Sequence, residues 1–172
     1  DASGFDVSGK RAVDLGASTG GFTQVLLERE ATHVVAVDVG HGQMDPMLYS
    51  DRRLTLLERT NARDLTEAQI GRPDVVVSDM SFISLRLAAA PALGLAAPGA
   101  NAVLLVKPQF EVGREGVGKG GIVTNEALTA RTCDDLRNWF GELSGWRETH
   151  FLPSPVKGGD GNREFLLCGE KA

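Results

Sequence analysis

The fold class follows from the stretch Ala12-Val13-Asp14-Leu15-Gly16-Ala17-Ser18-Thr19-Gly20-Gly21-Phe22-Thr23. A short apolar run ends in an acid, passes through a turn of small residues and continues into a helical pattern. This order predicts a strand, a tight turn and the N-terminus of a helix. Small side chains let a ligand approach the backbone, and the free N–H groups at the helix start are hydrogen-bond donors. The stretch therefore predicts a turn that binds a nucleotide.

The spacing of the glycines narrows the choice of ligand. Ala17-Ser18-Thr19 separate the first two glycines of the turn, so the pattern differs from the G-x-G-x-x-G of dinucleotide-binding proteins. That difference disfavours a dehydrogenase. Asp14 lies just before the turn, where a carboxylate suits a cationic ligand better than a pyrophosphate. S-adenosylmethionine carries an ammonium and a sulfonium, so we predict it as the cofactor.

Composition indicates one soluble globular domain. The 172 residues are 42% hydrophobic and 24% charged, and they can bury a substantial core. A net charge of -5 argues against binding nucleic acid by charge alone, but it leaves room for an enzyme with one local basic face. Neither the two cysteines nor the three histidines have metal-site spacing. Without a signal peptide, the chain is expected to be cytoplasmic with reduced thiols.

An uncharged stretch from Leu87 to Val106 has about the length of a membrane span. It contains Pro91 and the turn pair Pro98-Gly99, and much of its apolar content is alanine. We instead predict a helix across Pro91, a turn, and a buried strand.

Short β-branched runs alternate with helical patterns along the chain. The predicted strands are Ala12–Leu15, Val34–Asp38, Leu54–Glu58, Val75–Asp79, Ala102–Lys107, Trp146–Leu152 and Glu164–Gly169. The predicted helices are Thr19–Glu28, Pro46–Asp51, Leu65–Ile70, Ser84–Leu95 and Asn125–Leu143. Mostly apolar strands indicate a doubly wound, Rossmann-like α/β sheet that is mostly parallel. The last two strands lack a connecting helix and should form an antiparallel pair at the C-terminal edge.

Polar side chains lie at or just after the ends of the predicted strands, at the edge where open α/β sheets bind ligands. They are Asp14, Asp38, Asn61, Asp79 and Lys107. Asp38 follows the glycine turn by about 20 residues and could accept hydrogen bonds from ribose hydroxyls. Asn61 could read an adenine edge. Each residue alone also suits an ordinary role in a loop or helix cap, but together they predict a cofactor site.

Several ordered blocks resemble the TlyA family of RNA 2′-O-methyltransferases, a branch of the FtsJ-like ribose methyltransferases. The resemblance covers nearly the whole chain, and its blocks are residues 7–10, 14–23, 58–64, 79–84, 106–111 and 161–165. It implies an S-adenosylmethionine-dependent enzyme that methylates ribosomal RNA, at cytidine, on free RNA or ribosomal subunits. The family's small N-terminal RNA-binding domain is absent, so residues 1–172 are expected to be a single methyltransferase domain, either trimmed or a domain-only relative.

The resemblance also implies the site residues. The catalytic quartet would be Lys10, Asp79, Lys107 and Glu164. The cofactor-binding residues would be Asp14, Gly16, Ala17, Ser18, Thr19, Gly20, Gly21, Phe22, Asp38, Val39, Asn61, Ala62 and Asp79. Family members usually have glycine where Glu30 stands, so we expect the end of the first helix to close differently here.

The quartet suits in-line transfer of a methyl group to a ribose hydroxyl. Lys107 would lie nearest the acceptor oxygen, either as the base or as a charged group that orients the hydroxyl. Lys10 would add positive charge, Asp79 would hold Lys107, and Glu164 would steer Lys10 or the ribose. Alignment alone can contribute about 7–11 kcal/mol.

Basic side chains near the quartet are candidates for RNA binding. Arg114 and Lys119 lie in a glycine-rich loop after the fifth strand, and Lys157 and Arg163 lie close to Glu164 in the sequence. They could contact phosphates, although the loop also suits a plain connector.

Two other functions stay open. The family's older name suggests a membrane-active haemolysin, but no amphipathic or membrane-spanning segment supports stable membrane association. A cofactor-binding domain that is inactive without its RNA-binding domain is the other alternative.

Overall fold

The computed structural model describes residues 2–172, so Asp1, the first residue of the predicted domain, lies outside the described residues. Seven strands form one sheet in the order β3-β2-β1-β4-β5-β7-β6. The strands are β1 (Arg11–Leu15), β2 (His33–Val37), β3 (Leu54–Leu57), β4 (Val75–Ser78), β5 (Asn101–Val106), β6 (Trp146–Pro153) and β7 (Phe165–Lys171). The α-helices are α1 (Gly21–Glu28), α2 (Pro46–Tyr49), α3 (Glu67–Ile70), α4 (Leu85–Leu95) and α5 (Glu126–Glu142).

Strand pairing confirms the predicted α/β architecture. The strands β1 to β5 are parallel, with β1 lying between β2 and β4. The strand β7 runs antiparallel to both β5 and β6, which makes the C-terminal pair the antiparallel edge of the sheet. Helices pack on both faces, as a doubly wound sheet requires.

Strand ends differ from the prediction in a consistent way. Four residues predicted as the last of a strand lie just beyond it, namely Asp38, Glu58, Asp79 and Lys107. Glu164, predicted as the first residue of the last strand, lies just before β7. Because these residues do not pair with a neighbouring strand, their side chains need not point to either face of the sheet.

Burial on both faces explains the apolar strands. On one face, Val13, Val76 and Leu104 pack in a cluster that includes buried residues of α4 and α5. On the other, Val34 and Val75 pack with the buried side of α1. The helix α4 spans Pro91 and buries its alanines against the sheet. Within residues 2–172, no helix has both the length and the apolar character needed to cross a membrane.

The end of α1 corrects one expectation. Glu30 adopts a left-handed backbone, with φ 65. Its N–H donates to the Leu27 carbonyl at 3.1 Å, and the Ala31 N–H donates to the Leu26 carbonyl at 3.0 Å. These two bonds form the Schellman closure that a glycine usually makes. The expectation of a different closure is therefore wrong, because glutamate adopts the glycine-like conformation here.

Candidate active site

The turn between β1 and α1 depends on the absence of side chains. Gly16 has φ 74, and a Cβ added there would collide with the carbonyl oxygen of Asp79. Gly20 has φ 101 and is the N-cap of α1. These positions favour glycine both sterically and conformationally, so the turn packs tightly against the end of β4.

Asp38 holds the turn to the neighbouring strand. Its Oδ2 accepts a hydrogen bond from the N–H of Ser18 at 2.9 Å, and its Oδ1 accepts one from the N–H of Gly40 at 2.8 Å. Each carboxylate oxygen can accept a further bond. Asp38 therefore orders the turn and still has acceptor capacity for a ligand.

Asp14 lies beneath the turn and is fully buried. Its Oδ2 accepts a hydrogen bond from the Thr23 hydroxyl at 2.7 Å, while its Oδ1 has no hydrogen-bond partner among the described residues. Burial raises the pKa of Asp14 to about 7, and the negative charges of Asp79 and Asp38 add to the rise. A buried acceptor without a partner is costly in a native protein, so this oxygen calls for an explanation.

The other predicted cofactor residues lie after β2 and β3. Asn61 caps a short 3₁₀ turn by accepting from the N–H of Arg63 at 3.1 Å, and Ala62 in that turn is buried. The Thr60 N–H donates to the Asp38 carbonyl at 3.0 Å, which ties the exits of β2 and β3 together. Val39 is exposed at the same edge.

Asp79 and Lys107 form an ion pair at the carboxyl edge of the sheet. The Lys107 Nζ lies 2.6 Å from Oδ1 of Asp79 and 3.1 Å from the Ser81 hydroxyl oxygen. The two residues follow the neighbouring strands β4 and β5, where Ser78 and Leu104 are in register. The Lys107 side chain is only 12% exposed, whereas that of Asp79 is 43% exposed and open to a ligand.

Glu164 joins this pair from the antiparallel strand. Val106 and Phe165 are in register between β5 and β7, so Glu164 and Lys107 lie side by side. Partial burial raises the pKa of Glu164, although the charge of Lys107 and a hydrogen bond from the Gln109 side chain oppose the rise. We call Asp79, Lys107 and Glu164 the acid–lysine cluster.

Lys10 does not belong to this cluster. It immediately precedes β1, and its Nζ donates to the side-chain oxygen of Asn101, the first residue of β5, at 3.2 Å. The residues from Asn101 to Lys107 span roughly 20 Å of extended chain. Because parallel strands begin at one edge and end at the other, Lys10 lies across the sheet from Lys107. Of the four residues predicted as the quartet, the structure therefore brings Asp79, Lys107 and Glu164 together and places Lys10 at the opposite edge.

Three further residues at this edge were not predicted. Ser81 contacts Lys107, and Gln109 is buried two positions after Lys107. Phe82 has φ 64 and is 91% exposed, and its ring lies 5.0 Å from that of Phe110. A bulky residue held in a left-handed conformation points to a functional constraint. These residues lie in the blocks 79–84 and 106–111, which the sequence analysis had singled out. Only the folded turns show which side chains of the two blocks are in contact.

Comparison with known proteins agrees with this geometry. Residues 1–171 match the FtsJ-like methyltransferases. The chain belongs to the FtsJ-like methyltransferase family. It is 50% identical over 168 residues to the "16S/23S rRNA (cytidine-2'-O)-methyltransferase TlyA" of Mycobacterium tuberculosis strain H37Rv, a match that covers 97% of this chain and 62% of that relative. The resemblance noted from the sequence is confirmed.

Solved structures give the same placement. A hemolysin-named protein from Lactococcus lactis has a TM-score of 0.93 at 37% identity, covering 99% of this chain and 82% of that one. The N-methyltransferase NodS from Bradyrhizobium japonicum, solved with S-adenosyl-L-homocysteine, has a TM-score of 0.62 at 12% identity, covering 95% and 79%. At that identity, NodS shares only the fold with this FtsJ-like chain.

The predicted RNA-binding residues lie on two loops of the FtsJ-like fold that meet beside the cluster. Arg114 and Lys119 are exposed on one loop, and Lys157 and Arg163 are exposed on the other. The buried Asn162 joins the loops, because its Oδ1 accepts from the Val123 N–H at 3.0 Å and its Nδ2 donates to the Gly121 carbonyl at 2.9 Å. We call these four basic residues the basic rim.

A groove of about 780 Å³ leads from the cluster along one face of the sheet. Its floor is apolar and includes Val77, Val103, Leu105 and Leu166, and Phe22 of α1 forms part of its wall. Phe22 therefore lines the groove as well as following the turn. Among residues 2–172, no three His, Cys, Asp or Glu side chains are grouped to hold a metal ion.

Proposed function

We propose that this chain is the methyltransferase domain of an enzyme that transfers a methyl group from S-adenosylmethionine to the ribose 2′-hydroxyl of cytidine in ribosomal RNA. The observation that carries the proposal is the acid–lysine cluster beside a nucleotide-binding turn, both at the carboxyl edge of the sheet. The TlyA relative, named for this reaction, supports it. Such a substrate implies work in the cytoplasm.

The residues at the turn fit the proposed cofactor. Within the turn, Gly21 has open space where a side chain would lie, and Asp38 has free acceptor capacity for ribose hydroxyls. The unpartnered Oδ1 of Asp14 lies beneath the turn, where a nearby cationic ligand would compensate it. Val39, Asn61 and Ala62 complete the proposed site. When bound, S-adenosylmethionine supplies a methyl group activated by the positive charge on its sulfur.

The cluster suits the acceptor side of the reaction. We assign the Lys107 ammonium to hold the 2′-oxygen in line, because its ion pair with Asp79 and its bond to Ser81 fix its direction. The hydroxyl must also lose its proton. Glu164 is a partly buried carboxylate with a raised pKa, so we assign it to accept that proton. In the alternative, neutral Lys107 is the base, and the pH dependence of Lys107 variants distinguishes the two assignments.

Recognition of RNA would use the basic rim and Phe82. The four rim residues Arg114, Lys119, Lys157 and Arg163 would contact phosphates, which positions the substrate without reading its sequence. The exposed ring of Phe82 offers a stacking surface for a base turned out of its helix. A local basic rim reconciles RNA binding with the net charge of -5.

The share of the TlyA relative that this chain covers supports the alternative of a cofactor-binding domain that is inactive alone. This chain spans 62% of the TlyA relative, so residues 1–172 could bind the cofactor and yet need a further domain to engage RNA. Calorimetry with S-adenosylmethionine, run beside transfer assays on ribosomal subunits and naked RNA, separates a binding module from an active enzyme. The haemolysin name carried by some relatives predicts vesicle leakage, which we expect to be absent.

Mass-spectrometric mapping of ribose methylation tests the proposal. Ribosomal RNA from cells lacking the full-length protein is incubated with purified protein and S-adenosylmethionine. We expect a new 2′-O-methylcytidine with wild-type protein and none with Asp79→Ala. A methyl group on a base, or no methylation of RNA or subunits despite cofactor binding, would overturn the proposal.

A further inference from the structure

We propose that Glu111 is a positioning residue that fastens the segment after β4 to the turn after β5, beside Lys107. That segment, residues 79–84, lies between the end of β4 and the start of α4, and we call it the β4 exit segment. The inference rests on the proposed function, because it concerns the alignment of the proposed reacting groups. Glu111 acts through this segment and not on the substrate, since both of its carboxylate oxygens are engaged within the protein.

The carboxylate of Glu111 links two parts of the chain that are distant in the sequence. Its Oε2 accepts a hydrogen bond from the Ser84 hydroxyl at 2.8 Å, and its Oε1 accepts one from the N–H of Leu85 at 2.7 Å. Leu85 is the first residue of α4, whereas Glu111 ends a 3₁₀ turn that follows β5. Both oxygens therefore hold the end of the β4 exit segment at the point where α4 begins.

The middle of the β4 exit segment is tied to the same turn. The Lys107 Nζ donates to the Ser81 hydroxyl at 3.1 Å, and the ring of Phe82 lies 5.0 Å from that of Phe110. Phe82 has φ 64, a conformation that a bulky residue keeps only where its surroundings hold it. The bonds to Lys107 on one side and to Glu111 on the other bracket Phe82, so together they restrain the segment.

Capping of α4 does not by itself account for Glu111. The Ser84 hydroxyl oxygen also accepts from the N–H of Arg86 at 3.3 Å, so α4 already has an N-cap from its own sequence. Burial raises the pKa of Glu111, although the bonds from Leu85 and Ser84 and the charge of Arg86 oppose the rise. Partial burial of a carboxylate costs free energy. A carboxylate held there in spite of this cost, 27 positions from the serine that it binds, supports a second task, which is to hold the two turns together.

Glu111→Ala removes both bonds and tests the role in transfer assays run well below the melting temperature of each variant. We expect kcat to fall roughly tenfold, because the released segment no longer holds Ser81 against Lys107, while the Kd for S-adenosylmethionine changes less than twofold. Glu111→Gln keeps a carbonyl oxygen for the Leu85 N–H and an NH₂ group that can donate to the Ser84 hydroxyl. It should therefore retain most of kcat.

Glu148→Ala is the matched control, because both oxygens of Glu148 also accept hydrogen bonds that join two elements. They bind Arg137 at 2.8 and 2.9 Å and so link β6 to α5, away from the β4 exit segment. This variant should leave kcat within twofold of the wild-type value, whatever its effect on the melting temperature. A Glu111→Ala variant that melts at a lower temperature but transfers methyl groups at the wild-type rate would overturn the positioning role.

Backbone ¹⁵N relaxation measured by NMR gives a readout that does not need activity. In Glu111→Ala, the amides of residues 80–83 should become more mobile, whereas Glu148→Ala should leave them unchanged. Fraying limited to Leu85 and Arg86 would show that Glu111 only caps α4, and the positioning role would fail. If wild-type protein transfers no methyl group but residues 80–83 loosen in Glu111→Ala, the proposed function fails and the restraint stands. If wild-type transfer is normal and Glu111→Ala changes neither kcat nor this mobility, the positioning role fails alone.

Discussion

The Nζ of Lys107 lies 2.6 Å from Oδ1 of Asp79, although 28 positions of sequence numbering separate the two residues. They meet because β4 and β5 are parallel neighbours and both residues lie one position beyond their strands. The lysine is largely buried and the aspartate is half-exposed. The ammonium is therefore enclosed by protein, while the carboxylate is accessible at the carboxyl edge of the sheet. The ion pair therefore fixes the positions of both side chains before any ligand binds.

Replacing Lys107 tests which role it has. If the ammonium orients the 2′-oxygen, Lys107→Ala should lower kcat at least 100-fold, and Lys107→Arg should retain part of the rate because it keeps a charged donor. The rise in rate with pH should survive in Lys107→Arg, as arginine does not deprotonate in this range. Single-turnover transfer at several pH values measures this. A second rise at alkaline pH that is present in the wild type and lost in Lys107→Arg would instead identify Lys107 as the base.

Lys10→Ala provides the matched comparison for the same assay. Lys10 contacts Asn101 at the opposite edge of the sheet, so its removal should change kcat less than twofold. A loss comparable to that of Lys107→Ala would show that Lys10 acts in the reaction after all.

Lys10 and Lys107 show which parts of the site can be predicted from the sequence and which cannot. The parallel arrangement of the strands and their carboxyl edge follow from apolar runs and connection lengths, so Asp14, Asp38, Asp79 and Lys107 could be placed there in advance. Lys10 precedes a strand instead of following one, and parallel strands send those two positions to opposite edges. The motif resemblance hid that difference, because a matching block does not say which edge it occupies.

Ser81 illustrates a different limit. Its hydroxyl contacts Lys107, which joins the turn after β4 to the residue just beyond β5. No periodicity connects such segments, since the contact depends on side-chain direction in two irregular turns. Residues of this kind become visible only when the backbone of both turns is known.

Asp14 predicts a proton release on cofactor binding. Its pKa is raised to about 7 by burial, so near neutral pH a substantial fraction of the unliganded protein holds this proton. A bound cation favours the charged form and expels it. Calorimetry at pH 7 in buffers of different ionisation enthalpy should show release of about half a proton per site. Asp14→Asn should abolish the release and weaken binding; a release that persists in this variant would contradict the assignment.

The same pKa sets a pH dependence of stability. The folded state holds the Asp14 proton between about pH 4 and 7, whereas the unfolded chain has already lost it, so this contribution to stability is present at low pH and fades as pH rises through 7. Asp14→Asn should lack this contribution. Its melting temperature relative to the wild type should therefore rise between pH 5 and pH 8, as differential scanning calorimetry can measure.

Glu30 predicts a stabilising substitution away from the site. Its left-handed backbone at the end of α1 is costly for a residue with a Cβ. Glu30→Gly should relieve that cost and raise the free energy of unfolding by about 0.5–1 kcal/mol, after allowing for the greater freedom of glycine in the unfolded chain. Glu30→Ala keeps the Cβ and should give no such gain. Equal stabilities for the two variants in urea titrations would show that the backbone cost is not the cause.

Phe82 predicts a loss of RNA binding without a loss of stability. Its ring is 91% exposed and meets Phe110, so Phe82→Ala removes little buried surface and should leave the melting temperature within about 2 °C of the wild-type value. If a base stacks on the ring, the change should raise KM for RNA roughly tenfold or more, since one stacked base contributes about 1–3 kcal/mol. Phe82→Trp keeps a stacking surface and should preserve binding. Affinity for S-adenosylmethionine should stay constant in both variants, because the ring of Phe82 packs on Phe110, which follows β5. A parallel loss of cofactor affinity in Phe82→Ala would mean that the residue shapes the cofactor site instead.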